Sequence, residues 1–159
     1  MLTELLRQIK ELGGAFIAPP LKQSDILENN AQGYAIPEDY IQWLKTADGL
    51  YWGGLEFFGS QTRQKGGYVI TDLLTQNDLY QALSGNTDAI IVGKTDEENF
   101  VYNIPKDRYE IRAEFSDEHI KSFPTFQKMI SYLLNEQIEL LQNYVAFNEE
   151  AEESAQDNE

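Results

Sequence analysis

The chain contains no cysteine and only one histidine, His119. The first absence removes disulfides, thiolate metal sites, iron–sulfur ligation and a cysteine nucleophile together. The second leaves any catalytic triad or zinc site without another imidazole. His119 lies beside Asp117 and Glu118 in a polar stretch, which predicts an exposed side chain and not a ligand. Positive charge is scarce too: 12 Lys and Arg face 27 Asp and Glu, a net charge of −15. The basic residues are scattered singly or in pairs and form no patch, so neither nucleic acid nor an anionic membrane surface is an expected partner, whereas a basic protein is attracted at long range. No apolar run approaches the roughly 20 residues that a membrane-crossing helix needs. Met1 to Leu12 alternates apolar and polar residues at helical spacing and carries no basic-then-apolar leader. A cytoplasmic protein is the expectation.

What is present suffices for one core. In 159 residues, 42% are hydrophobic and 12% aromatic, a globular composition built on Leu, Ile, Val, Tyr and Phe. Leu2, Leu5, Leu6, Ile9 and Leu12 predict an amphipathic first helix closed by Gly13-Gly14, and Ala15 to Ala18 a short extended segment stopped by Pro19-Pro20. Ser24 caps an expected short helix through Ile26, Leu27 and Ala31. Ile36-Pro37-Glu38-Asp39 opens another, with Pro in its first turn and both carboxylates at its positive end. Tyr40, Trp43, Leu44 and Ala47 form its apolar face, and Asp48-Gly49 ends it.

From Leu50 the period becomes strand-like: Leu50 to Trp52, Leu55 to Phe58, Tyr68 to Thr71, Ala89 to Val92, Phe100 to Asn103 and Tyr109 to Ala113, divided by glycines and polar turns. The last three predict an antiparallel meander. A short helix is expected within Asp72 to Ala82. A long final helix is expected from Ser122-Phe123-Pro124, with Ile130, Leu133, Leu134, Ile138, Leu141 and Val145 on one stripe. Helices, then a mixed or mostly antiparallel sheet, then a closing helix make a single α+β domain. Residues 1–147 form it. In 148–159 the acids Glu149, Glu150, Glu152, Glu153, Asp157 and Glu159 meet no base, and a solvated, disordered tail is expected there. Acids outnumber bases in the remainder as well.

Motifs that could carry chemistry have simpler readings. Gly93-Lys94-Thr95 ends like a phosphate-binding loop, but position 88 is Asp88 and the intervening residues read as a strand. No stretch has the spacing of a calcium loop. Glu38/Asp39 serve a helix start, Asp96/Glu97/Glu98 a hairpin turn, and Glu110 alternates with apolar residues on a strand, predicting a solvated face. No catalytic, cofactor-binding or metal-binding residue is assigned, and the chain is not expected to be an enzyme. Tyr51, Trp52, Phe57 and Phe58 around Gly53-Gly54 read as core and turn, or as aromatics that grip a partner.

The run Ile36-Pro37-Glu38-Asp39-Tyr40-Ile41-Gln42-Trp43-Leu44-Lys45-Thr46-Ala47-Asp48-Gly49, followed by Leu55-Glu56-Phe57-Phe58-Gly59, resembles the signature of the SUKH superfamily, the domain of Smi/Knr yeast cell-wall regulators and many bacterial immunity proteins. Ile90-Ile91-Val92-Gly93, Phe100-Val101-Tyr102, Ser122-Phe123 and Phe126 extend the resemblance over most of Ala15 to Asn143. It implies fold-holding roles for Pro37, Tyr40, Gly49 and Gly59, and a domain that binds proteins, in bacteria often a toxin and frequently a nuclease. Acidity suits a basic toxin, whose phosphate-binding groove it would cover. The candidate partner-binding residues are Tyr51, Trp52, Glu56, Asp72, Asp96, Glu97 and Glu98. A regulatory or scaffold domain with another protein partner is the alternative, and a small-molecule binder or enzyme the third reading.

Overall fold

The structure, a computed structural model, describes residues 2–22 and 33–157; the helix expected from Ser24 through Ala31 lies outside the described residues. Apolar residues at three- and four-residue spacing make helix α1 (Leu2–Leu12), whose Leu5, Leu6 and Ile9 are buried. Gly13 and Gly14 follow with φ of 85° and 79°. Strand β1 (Phe16–Ile17) comes next, then α2 (Glu38–Thr46), β2 (Leu50–Trp52), β3 (Leu55–Phe57), β4 (Arg63–Lys65), β5 (Tyr68–Ile70), α3 (Leu73–Ser84), β6 (Ala89–Lys94), β7 (Glu98–Asn103), β8 (Arg108–Ala113), β9 (His119–Phe123) and α4 (Phe126–Asp157). A seven-stranded sheet has the order β1-β2-β3-β6-β7-β8-β9, every neighbouring pair antiparallel. β4 and β5 form a separate hairpin. The fold is a single α+β domain.

Because successive strand residues point to opposite sides, the sheet has two unlike faces. On one, Phe57 stacks on Phe100 at 5.5 Å and both lie under α2 and α4. Phe126 is the hub, with ring centroids 4.9 Å from Tyr40, 5.7 Å from Trp43, 5.5 Å from Phe57 and 5.6 Å from Tyr109. Tyr40 is fully buried, its hydroxyl reaching the carbonyls of Phe58 and Val92, and burial keeps it protonated far above the ordinary tyrosine range. The opposite face buries Asn99, Glu110 and Arg112 beneath α3. There the Asn77 carboxamide accepts from the Ile91 amide at 2.9 Å and donates to the Ile91 carbonyl at 3.0 Å.

Two differences from the sequence pattern concern the final helix. Ser122 and Phe123 belong to β9, and the helix starts at Phe126, capped by Thr125, whose Oγ1 accepts from the Lys128 amide. The other cap comes from afar: Asp39, in the first turn of α2, accepts from the Phe126 amide at 2.8 Å and from the Tyr109 hydroxyl at 2.6 Å. One carboxylate therefore joins α2, β8 and the positive end of α4. Local spacing cannot reveal a partner 87 residues away. At the other end the helix runs through the stretch where composition predicts a tail, reaching Asp157 with Glu149 to Glu153 exposed. Ile130, Leu133, Leu134 and Ile138 are buried as their stripe predicts, but Val145 is exposed. β4 also escapes sequence patterning, since Arg63, Gln64 and Lys65 offer no apolar alternation.

Two glycines fix how the first strands meet α2. Gly49 has φ of 103°, and a Cβ there would lie 2.5 Å from Ile70 Cγ2. At Gly59 a Cβ would lie 2.3 Å from the Asp48 carbonyl oxygen, a backbone atom unable to move aside. Gly59→Ala is therefore expected to lower unfolding free energy by about 3 kcal/mol, read as a lower denaturant midpoint at unchanged slope. Asp39→Ala orphans the buried Tyr109 hydroxyl and uncaps α4, for an expected loss of about 3 kcal/mol. In a Tyr109→Phe background the same change should cost only about 1 kcal/mol, because the cap alone remains to be lost. A double-mutant cycle with equal costs in both backgrounds would contradict the shared role of this carboxylate.

Candidate protein-binding surface

Three of the candidate residues meet at the β6–β7 turn. Thr95 Oγ1 accepts from the Glu97 and Glu98 amides, and the Thr95 amide donates to the Glu98 carbonyl at 2.9 Å, a local closure that projects Asp96 and Glu97 into solvent. Beside them lie Gly53 and Gly54 of the β2–β3 turn and Leu133, Glu136, Gln137 and Leu140 of α4, enclosing an open cleft of about 380 Å³. No Lys or Arg lines it. Partial burial, together with the charges of Glu136 and Glu97, raises the Glu98 carboxyl above the ordinary glutamate range. The cleft concentrates negative charge that nothing in its lining neutralises, and it is suited to cations and hydrogen-bond donors.

The other candidates stand elsewhere. Trp52 is only 2% exposed and donates its indole N–H to the Gly13 carbonyl at 3.2 Å. Glu56 is 8% exposed, its carboxylate accepting from the Thr71 amide at 2.7 Å. Neither offers its functional group to a partner: Trp52 sits in the core, and Glu56 ties β3 to the end of β5. Phe57 and Phe58 are fully buried as well, so of the aromatic group around Gly53-Gly54 only the half-buried Tyr51 reaches the surface, packed at 5.2 Å against Tyr68. Asp72 caps α3 by accepting from the Thr75 amide, and it also accepts from the Thr62 hydroxyl. Burial opposes its ionisation, but these bonds prevail and hold its carboxyl below the ordinary value.

A second groove, of about 530 Å³, opens on the α3 side of the sheet. Leu79 and Leu83 from α3 and Phe115 from the β8–β9 turn line it over Ile91, with Leu83 79% and Phe115 96% exposed. Its polar wall includes Tyr80 and Asp117, joined to a buried network that strand alternation misassigns. Glu110 is not solvated: its carboxylate accepts from Arg108 at 2.7 Å and from both Nε and Nη2 of Arg112, while Arg112 Nη1 also reaches Tyr80 and Asp117. The flanking arginines were the available signal, since Arg-x-Glu-x-Arg on a strand places all three side chains on one face. Phe115 gave another, as a lone aromatic in the turn Glu114 to Glu118.

His119 is exposed on β9 and contacts the Ser122 hydroxyl. Among the described residues no group of three or more His, Asp or Glu side chains is arranged to hold a metal ion, and no helix is long and apolar enough to cross a membrane. No protein-family model matches the chain, and no curated protein is significantly similar to it.

Burial opposes ionisation of Glu110, yet the hydrogen bonds from Arg112, Arg108 and Asn103 outweigh it and hold its carboxyl below the ordinary glutamate value of 4.5. The depressed carboxyl contributes stability that is complete above the unfolded value and is lost as pH falls through the lower folded one. Glu110→Gln is expected to cost about 3 kcal/mol at neutral pH by leaving buried arginine charge unpaired. It should also flatten the fall in stability on acidification below pH 4.5. Denaturant unfolding across an acid pH series checks both.

Proposed function

We propose that this protein is a non-catalytic binding domain that captures a basic protein at the acidic cleft, and that its role is to neutralise a toxin, such as a nuclease, in the cytosol. The observation that carries the reading is the convergence of Asp96, Glu97, Glu98 and Glu136 on one open cleft with no basic side chain in its lining. Folding alone gives no reason to gather these groups: partial burial, and then the charges of Glu136 and Glu97, destabilise Glu98 as an anion, and a cationic partner would offset both. The net charge of −15 adds long-range attraction and fast encounter with such a partner. A nuclease presents the required basic groove, and the resemblance to the SUKH superfamily supports neutralisation as the purpose of binding.

The test is co-purification of the tagged chain with the product of the gene beside its own. The expected complex weakens steeply with added salt, and Asp96→Lys, Glu97→Lys and Glu98→Lys together reduce its affinity by about 100-fold or more through slower association and lost charge pairing. These side chains are exposed or half-buried, so the variant should keep the thermal midpoint of the parent. A tight complex indifferent to both salt and the three lysines would refute the acidic cleft as the binding site.

A further inference from the structure

The final helix carries a second apolar stripe that the core does not use. Gln137 and Leu140 face the acidic cleft about one and two turns beyond the buried Leu133, and three- and four-residue spacing continues that side of the helix to Tyr144 and Phe147. Leu140 and Tyr144 are each 64% exposed and Phe147 is 68% exposed, over a length of roughly 10 Å. Large apolar side chains standing in a row on a surface, and not scattered singly, mark a docking site.

Charge identifies what can lie on it. Glu136, Glu139, Glu149 and Glu150 are exposed along the same helix, Asp96 to Glu98 stand across the cleft, and no Lys or Arg follows Lys128. A second copy of this chain laid on the stripe would bring its own acidic helix ends against these acids, with no Lys or Arg between Lys128 and Glu159 to offset the repulsion. A cationic segment instead meets acids at both ends of the stripe, Glu136, Glu139 and the Asp96–Glu98 turn before Leu140 and Glu150 after Phe147, around an uncharged middle from Leu140 to Asn148. Helix-on-helix packing places apolar side chains between those at i, i+4 and i+7 of its neighbour, the spacing of Leu140, Tyr144 and Phe147.

We propose that this stripe docks a basic amphipathic α-helix of the partner protein, its apolar face on Leu140, Tyr144 and Phe147 and its Lys or Arg flanks reaching Glu136, Glu139 and the Asp96–Glu98 turn. The inference rests on the reading of the protein as a binder of a basic partner. It adds the surface used and the kind of segment recognised.

The test titrates the full chain with a synthetic peptide of about five helical turns, made of Leu and Lys with Leu on one face, and with a scrambled peptide of identical composition. The ordered peptide should bind at least about tenfold more tightly than the scrambled one. In the Leu140→Ser, Tyr144→Ser double variant, with thermal midpoint unchanged, its affinity should fall to that of the scrambled peptide. Equal binding of the two peptides, or an unchanged affinity of the double variant, overturns the proposal. So does reversible self-association, seen by sedimentation velocity, that the double variant abolishes, since a second copy would then occupy the stripe. The neighbouring gene's product separates the two levels. If the three lysines release it while the double variant retains it fully, the stripe is refuted and the binding-domain reading stands; if it ignores both sets, both readings fall.

Discussion

The packing of this domain depends on a carboxylate that leaves its own helix. Asp39 begins α2, where its charge already suits the helix dipole, yet its oxygens satisfy the Phe126 amide and the Tyr109 hydroxyl. These bonds set the start of α4 against the start of α2, and that placement brings Phe126 among Tyr40, Trp43, Phe57 and Tyr109. The aromatic cluster is non-directional by itself. A charged acceptor with two geometric demands gives it one orientation. Burial, followed by the bond and charge of Asp39, pushes the Tyr109 hydroxyl far above its ordinary range, so it remains a donor throughout the physiological span.

The two faces of the sheet solve different problems. Rings and aliphatic side chains fill the face under α2 and α4. The face under α3 encloses an acid between two arginines and an amide side chain against backbone, so its polar groups must be satisfied one by one. The Arg108–Glu110–Arg112 ladder uses the two-residue period of β8 to place both cations on either side of one anion. The protein is strongly acidic overall, and this ladder commits two of its few cations to a structural network on the α3 side of the sheet.

Repeating patterns made most of the fold legible in the sequence. The first helix, the Pro37-Glu38-Asp39 start, the meander of β6 to β8 and the apolar stripe of the last helix all follow from three- and four-residue or two-residue spacing. What escaped depends on distant contacts. Nothing near Phe126 shows that its amide belongs to Asp39, and nothing in Arg63-Gln64-Lys65 marks a strand, because a two-stranded hairpin at the surface needs no apolar face. The candidate surface was legible in part. Asp96 to Glu98 form the expected turn, but their approach to Glu136 depends on the docking of α4. Trp52 and Glu56, suggestive in sequence as an aromatic and an acid beside flexible glycines, are turned inward by strand alternation and by the Thr71 amide.

Asn77 carries a further consequence. Only part of β6 is paired with β3, at Lys94 and Gly93, which would leave the Ile91 amide and carbonyl pointing from an open strand. The Asn77 carboxamide occupies both, standing in for one residue of a missing strand. An unpaired apolar strand edge is the kind of template on which unrelated chains stack into fibrils. A single side chain, clamped further by its bond to the Leu73 carbonyl, closes that template without adding a strand. Slow aggregation on storage would therefore register the loss of this amide.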